Sequence, residues 1–389
     1  MSLRVLTFLH SFETGGVERT ALRLVAQWQR DGIDAPLWLG RTCGPMRAAH
    51  EGRLRYMAGP EIRWPIRHIE TLWMITLLPG VIRRLKPDVL FCAGNSYAVV
   101  VVAMKLILGR KCPPIVAKIS NDLVRADMPW LARKAYHLWL KIQGRIIDRF
   151  VGMAEPMRDE LSTMLKLGED RVSIIADPVL DAVVQGAPHR CRGHDALRFI
   201  TVGRLAPQKD HELMLRAFAL GSRPEDILRI VGDGPLEARL RNCAEALGIQ
   251  DRVIFTGHSE SVEADLIGSD VFLLSSRYEG VPAAIVEALA AGLPVIATDC
   301  AVSIGALLHN GAFGRTVPVG KVQPLADAIA SARSLTIDRD AAIRSVQPFS
   351  VASSAREYMS LFKYAVARGP RDAAMPEAGA LFSGQGARS

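Results

Sequence analysis

The chain has 389 residues, enough for two domains with separate cores, and its composition, 49% hydrophobic and 23% charged, is that of a globular protein rather than a disordered or fibrous one. The net charge of +8 is uneven: residues 1–180 carry 26 Lys and Arg against 17 Asp and Glu, residues 181–389 carry 22 against 23. No apolar run reaches the roughly 18–20 residues of a membrane span, the six cysteines show no C-x-x-C or zinc-like spacing, and no nucleic-acid module accompanies the basic half.

In chain order, the start "MSLRVLTFLHSF" lacks the features of a signal peptide and reads as a first buried strand, with the thiols reduced in a cytoplasmic setting. It ends near His10, and Gly15-Gly16 open a helix from about Val17 to Arg30. Paired glycines there bring backbone N–H groups close to an anion at the positive helix end, or they make a plain tight turn. Without a full G-x-G-x-x-G, a nicotinamide or flavin site is unsupported. Further strands are read in "DAPLWLG", "DVLFCAG", "PIVAKIS" and "RFVGMA", and "YAVVVVAMKLILG" (Tyr97–Gly109) reads as a buried helix. The stretch 125–150 mixes Trp130, Leu138, Trp139 and Ile142 with Arg133, Lys134, Lys141 and Arg145, which suits an amphipathic helix on anionic lipid or a packed helix with a basic solvent face.

Pro, Gly and charge break the rhythm across Asp177–Ala196, the expected linker between two doubly wound α/β domains. Six more strands follow, "LRFITVG", "ILRIVGD", "VIFTG", "VFLLSS", "PVIAT" and "GRTVPV", with helices over Glu212–Leu220, Pro235–Leu247 and Pro282–Ala291. Arg204 and Lys209 share the loop after the first of them, where a planar fork and a point charge suit a diphosphate. Asp233-Gly234 is a strand–turn–helix junction or a ligand contact, and His258 is a nucleobase neighbour or a solvated loop histidine.

"SSRYEGVPAAIVEALAAGLPVIATD" places Glu279 and Glu287 eight residues apart around a helix start, with N–H groups near Gly280, Val281 and Ala284 free to hold a phosphate oxygen. That spacing implies carboxylates about 10 Å apart, wider than a hydrolytic pair. No further Asp, Glu or His clusters with them, so no metal is expected. Two grips on one extended ligand fit best.

These segments resemble retaining glycosyltransferases of the GT-B fold in the large group called family 4. The glycine turn "GGVER", "VGRLAPQKD", "GDGPLEARL" and the E-x7-E of Glu279 and Glu287 occur in the family's order, and the resemblance spans nearly the whole chain. It implies a first domain over 1–184 and a nucleotide-sugar domain over 185–349. A terminal helix over 350–367 would return to the first domain, and residues 368–389 read as a disordered tail. It further implies transfer with retention from a nucleoside diphosphate sugar to a glycan or lipid-linked acceptor in cell-surface polysaccharide synthesis, without cofactor or metal and with no nucleic-acid partner. Arg204 and Lys209 would hold the diphosphate, Glu279 the donor sugar and Glu287 the ribose. Gly15 and Gly16 would lie beside the diphosphate and acceptor, with Gly280, Val281 and His258 also lining the donor. Relatives carry a histidine after a middle strand of the first domain. Here "IVAKISNDL" offers Asn121 or Asp122 instead, with Asn121 the candidate catalytic residue, and Ala154 stands where relatives often carry serine. The basic half is expected to rest on an anionic membrane, peripherally at the inner face of the plasma membrane. The competing readings are a non-catalytic nucleotide-sugar-binding protein and a GT-B epimerase or phosphorylase.

Overall fold

The computed structural model describes residues 3–13, 15–60, 70–120, 123, 129–181, 196–259 and 261–368. Two all-parallel sheets carry the two halves. The first contains β1 (Val5–Leu9), β2 (Leu37–Leu39), β3 (Tyr56–Ala58), β4 (Val89–Cys92), β5 (Ile115–Lys118), β6 (Arg149–Gly152) and β7 (Val172–Ile174), in the spatial order β3-β2-β1-β4-β5-β6-β7. The second contains β8 (Arg198–Val202), β9 (Ile227–Val231), β10 (Val253–Gly257), β11 (Val271–Leu274), β12 (Val295–Thr298) and β13 (Gly314–Val317), ordered β10-β9-β8-β11-β12-β13. The two doubly wound halves expected from the alternating pattern are present. The three-residue strands β3 and β7, half-exposed at the edges of the first sheet, carry too little apolar pattern to be read from sequence.

Each sheet reverses its winding once, between β1 and β4 and between β8 and β11, and in open α/β sheets the crevice at the strands' carboxyl ends there is where ligands bind. The central strands β1, β4, β11 and β12 are fully buried apolar runs, as helix-covered parallel sheets require. One core fills the first half, and two cores cover the two faces of the second sheet.

The last helix, Val351–Arg368, belongs to the first core although it follows the second sheet in the chain. Its Tyr358 and Phe362 pack edge-on against Trp28 and Phe91 with centroids 5.1–6.2 Å apart, and the Trp28 indole N–H donates to the Ala355 carbonyl at 3.0 Å. The two chain crossings lie side by side: the N–H groups of Val179 and Leu180 donate to Phe349 O, and Val351 N–H donates to Leu180 O.

The helix read from Tyr97–Gly109 runs over Ala98–Leu108, but it is not buried throughout. Val100, Val101 and Met104 face the core while Val99, Leu106 and Ile107 are exposed, because the helix lies in an outer layer against Glu70–Leu85 and Trp130–Ile146.

Candidate functional site

The second switch point assembles the charged residues singled out in the sequence. After β8, Gly203 turns at φ +159°, and a Cβ there would lie 3.3 Å from the Lys209 side chain that arches over it. The loop closes in a 3-10 turn over Pro207–Lys209 and enters the His211–Gly221 helix through Asp210, which sits in the left-handed region at φ 48°. Aspartate tolerates that conformation better than most residues. Its carboxylate receives Arg277 Nε at 2.9 Å, tying this loop to the loop after β11.

Lys209 Nζ reaches Glu279 Oε1 at 2.6 Å, with the lysine and glutamate side chains 20% and 11% exposed. The same carboxylate accepts from Ser276 Oγ at 2.7 Å and, at the limit of bonding distance, from Gln208 Nε2 at 3.5 Å. Further bonds fix the two loops: Ser275 Oγ donates to Lys209 O, Arg277 N–H to Gln208 O, Thr298 Oγ1 to Ser276 O and Ser303 Oγ to Gly280 O, at 2.7–2.8 Å. Arg204 is exposed, and its guanidinium has no partner among the described residues. A fixed carboxylate, a paired ammonium and a free guanidinium thus lie around one crevice.

The glycines of "VGDGP" answer to packing. Gly232, at φ +133°, faces the Gly203 carbonyl so closely that a Cβ would collide with it, and at Gly234, φ +156°, a Cβ would fall 2.5 Å from Leu205 O. Of the two readings of that junction, the structural one accounts for both glycines.

Glu287 lies on the Ala283–Ala290 helix, whose start at Pro282 supplies no N–H, leaving the amides of the following residues as the free donors. Val281 packs against the first core and against a second-half core at once, which puts this helix start at the junction of the halves. Burial raises the Glu287 carboxyl above its ordinary value, and Arg23, Arg19 and Lys209 oppose that shift. Arg19 and Arg23 come from the Gly16–Arg30 helix of the first half, and Arg23 also donates to Pro178 O at 3.0 Å and pairs with Asp181 at 3.5 Å. Sequence reading singled out neither arginine because they sit on a helix 260 or more positions from Glu287 in the chain.

The first switch point is built around β1 and β4. The Gly16–Arg30 helix begins one residue earlier than the sequence suggests, with Gly15 as its cap. Glu18 folds back over Gly15, where a Cβ would collide with its carboxylate, whereas Gly16 faces open space. Glu18 Oε1 accepts the Tyr97 hydroxyl at 2.8 Å, and that hydroxyl in turn accepts the His10 N–H at 3.1 Å. His258 is exposed just after β10, and Asn121 lies outside the described residues, as do Asp122, Cys191, the middle of the linker and the tail. The other five cysteines are free, with the buried Cys92 and Cys300 thiols pushed up to about 12 by burial. Among the described residues no three His, Cys, Asp or Glu side chains gather as metal ligands.

Comparison with known proteins fits this architecture. Residues 14–179 match the Glycosyltransferase Family 4 model, and residues 192–346 match the model for Glycosyl transferases group 1. The chain is 25% identical over 336 residues to the lipopolysaccharide core biosynthesis glycosyltransferase LpsE of Rhizobium meliloti, covering 83% of this chain and 87% of that protein. It is 35% identical over 160 residues to an exopolysaccharide phosphotransferase of Streptomyces coelicolor, 40% of this chain and 17% of the relative. The chain spans less than two thirds of the length of several curated relatives it matches, between 17% and 61%. Among solved structures, Anabaena HepE in complex with UDP and glucose superposes with a TM-score of 0.73 at 17% identity, covering 93% of this chain and all of that one. Each half thus matches its own family model and the two sheets form the shared architecture, so the chain belongs to the glycosyltransferases of the GT-B fold.

Proposed function

We propose that the protein transfers a sugar, with retention of configuration, from a nucleoside diphosphate donor to a glycan or lipid-linked acceptor in cell-surface polysaccharide synthesis. The observation that carries the reading is the Lys209–Glu279 pair at the second switch point, held by Ser276 and flanked by the unpartnered Arg204. The diphosphate takes Arg204 and competes for Lys209. As the glycosidic bond breaks, negative charge grows on the leaving phosphate, and two fixed cations stabilise it there without a metal. Glu279, relieved of its lysine but still held by Ser276, contacts the donor sugar beside the reacting carbon. Glu287 accepts the ribose hydroxyls, Gly280 and Val281 lead into the free amides of the helix start, and Gly15 and Gly16 flank the diphosphate. A similar solved structure holds UDP and glucose, and the relatives' names point to lipopolysaccharide and exopolysaccharide chemistry.

The test is turnover of UDP-, GDP- and ADP-sugars by wild type and Lys209→Ala, after a thermal-shift screen has selected the donor, with product configuration read by NMR. Lys209→Ala should fall to background and the product should keep the donor's anomeric form. Equal background turnover in both proteins, with the melting shift retained, would instead favour a non-catalytic binding protein.

The acceptor side rests, in this reading, on an anionic lipid surface. Leu72, Val99, Leu106, Ile107, Trp130, Leu131 and Leu138 are exposed on one layer of adjacent helices, Glu70–Leu85, Ala98–Leu108 and Trp130–Ile146. The basic residues Arg133, Lys134, Lys141 and Arg145 are interspersed among them, with Lys134 over the Trp130 ring at 4.6 Å. No helix among the described residues is long and apolar enough to cross a membrane. Co-sedimentation with anionic vesicles that weakens with salt supports peripheral attachment, and equal binding to neutral vesicles sinks it.

A further inference from the structure

The amino ends of β5, β6 and β7 frame a cavity of about 1110 Å³, lined there by Pro114, Asp148 and Arg171, which directly precede the three strands. It lies at the end of the first sheet opposite the carboxyl-end crevice, and the glycosyltransfer reading makes no use of it. Among the described residues its wall carries six cations, Lys105, Arg110, Arg145, Arg149, Lys166 and Arg171, against the two carboxylates of Asp148 and Asp170.

The fold accounts for three of the six. Lys105 pairs at 2.7 Å with Asp148, which also accepts the Ile115 N–H at 2.9 Å. Arg149 donates to the Asp170 carbonyl at 2.7 Å and lies over the Tyr364 ring, 4.4 Å from its centroid. Arg171 donates to the Ile147 and Asp148 carbonyls just past the Trp130–Ile146 helix, where helical partners run out. The other three have no such task. Arg110, Arg145 and Lys166 are exposed, and their side chains make no hydrogen bond or ion pair to another described residue. Arg110 follows the Ala98–Leu108 helix, Arg145 stands in the last turn of Trp130–Ile146, and Lys166 closes the Met157–Leu165 helix at φ 54°. Gly144 lets the last two segments meet, since a Cβ there would collide with the Leu165 carbonyl. One cation in a last turn complements the helix dipole from the surface. Three unpaired cations around one void concentrate positive potential inside it.

We propose that this cavity is a second anion site, which takes the phosphate group of a ligand at the end of the first sheet remote from the sugar-nucleotide crevice. Guanidinium forks grip phosphate oxygens two at a time, and the lysine adds a point charge. The volume is that of a pocket for a whole small molecule, so the ligand carries a body beyond its phosphate. Leu106 and Ile107, exposed in the last turn before Arg110, offer that body an apolar flank. A soluble phosphate ester and a phospholipid headgroup present the same group, and the experiment separates them.

Two pairs of substitutions remove the same charge from two places. Arg110→Gln with Lys166→Asn empties the cavity rim, asparagine tolerating the left-handed backbone at 166. Arg133→Gln with Lys141→Gln acts on exposed residues of the Trp130–Ile146 helix that do not line the cavity. Binding of glycerol 3-phosphate and pyrophosphate is read by calorimetry in the Arg204→Ala background, which weakens the donor side. Binding to phosphatidylglycerol and phosphatidylcholine vesicles is read by co-sedimentation. The cavity pair should weaken binding about tenfold or more. The surface pair should weaken the soluble phosphates by no more than about twofold, and vesicle binding clearly less than the cavity pair does. Loss of the soluble phosphates identifies a phosphate ester as ligand, and loss confined to phosphatidylglycerol vesicles identifies a lipid headgroup. Binding unchanged in the cavity pair, weakening equal in both pairs, or no binding of either kind before substitution overturns the site. If the cavity pair does not fold by circular dichroism, Arg145→Gln against Arg133→Gln carries the same decision. UDP-induced melting shifts should be unchanged by the cavity pair, so failure of this site and failure of the donor reading are read separately.

Discussion

The two switch points are built on the same plan and finished differently. At the second, between β8 and β11, two loops are bonded to each other and present one carboxylate, Glu279, that already receives Lys209 and Ser276. At the first, between β1 and β4, one chain of bonds runs from His10 through Tyr97 to Glu18, and beside it several buried polar atoms have no hydrogen-bond partner among the described residues. A site that must stabilise developing charge gains most from groups fixed before the reaction. The difference is between a carboxylate already held by its neighbours and a neighbourhood with polar groups left open.

The largest effect that would sharpen this comparison is on activity. Lys209→Ala should lower kcat by about 10²–10³, the range for losing one preorganised charge-stabilising group, and turnover of the selected donor by wild type and variant decides it.

On the first side, Tyr97→Phe removes the hydroxyl that joins the backbone His10 N–H to Glu18 and leaves both partly buried groups short of a partner. It should cost about 1–3 kcal/mol of stability, measured by urea denaturation, with donor-induced melting shifts unchanged. A neutral outcome would mean that water replaces the hydroxyl and that this side is looser than its bonds suggest.

Acid should loosen the second side. His211, buried at the start of the helix after Lys209, has its imidazole lowered to about 4 by burial, with Lys209 acting the same way. It is neutral in the folded chain and takes a proton on unfolding, so its contribution is complete above about pH 6.5 and is lost as pH falls toward 4. At pH 5 the loss is about 2 kcal/mol, and His211→Leu should flatten the pH dependence of the melting temperature between pH 7 and 5.

The smallest effect concerns the residue between the halves. Because burial raises the Glu287 carboxyl, its ionised form weighs against the fold above its ordinary value near 4.5, and that penalty is absent below it. Glu287→Gln should therefore raise the melting temperature slightly at pH 7, with no gain at pH 4, while weakening the nucleotide-induced shift. No stabilisation at pH 7 would indicate that Arg19 and Arg23 fully compensate the buried charge.

The donor side was legible in sequence because its residues are local: the Arg204–Lys209 loop and the Glu279–Glu287 segment each sit within ten positions and follow an apolar strand whose end can be read directly. Even there, Ser276, Gln208 and Ser303 were not singled out: short polar residues after a strand are common, and the bonds of Gln208 to Tyr278 and of Ser303 to Gly280 join segments well separated in the chain, while Ser276 reaches Glu279 three residues on. His10 was visible only as the end of a strand. Its meaning depends on Tyr97, Arg41 and Glu18, which different helices and strands bring to it.

Alternating apolar runs and helical periods, with glycines at the turns, sufficed to set two doubly wound halves, and clustered charges sufficed to point to the loops of the second switch point, proposed to take the diphosphate, because hydrophobic period and loop chemistry act over a few residues. Only the tertiary structure decided which side chains seat the last helix in the first core, that Arg19 and Arg23 act on Glu287, and which buried polar atoms lack a hydrogen-bond partner among the described residues. Partnership and burial are properties of surfaces in contact, and no window along the chain contains both surfaces.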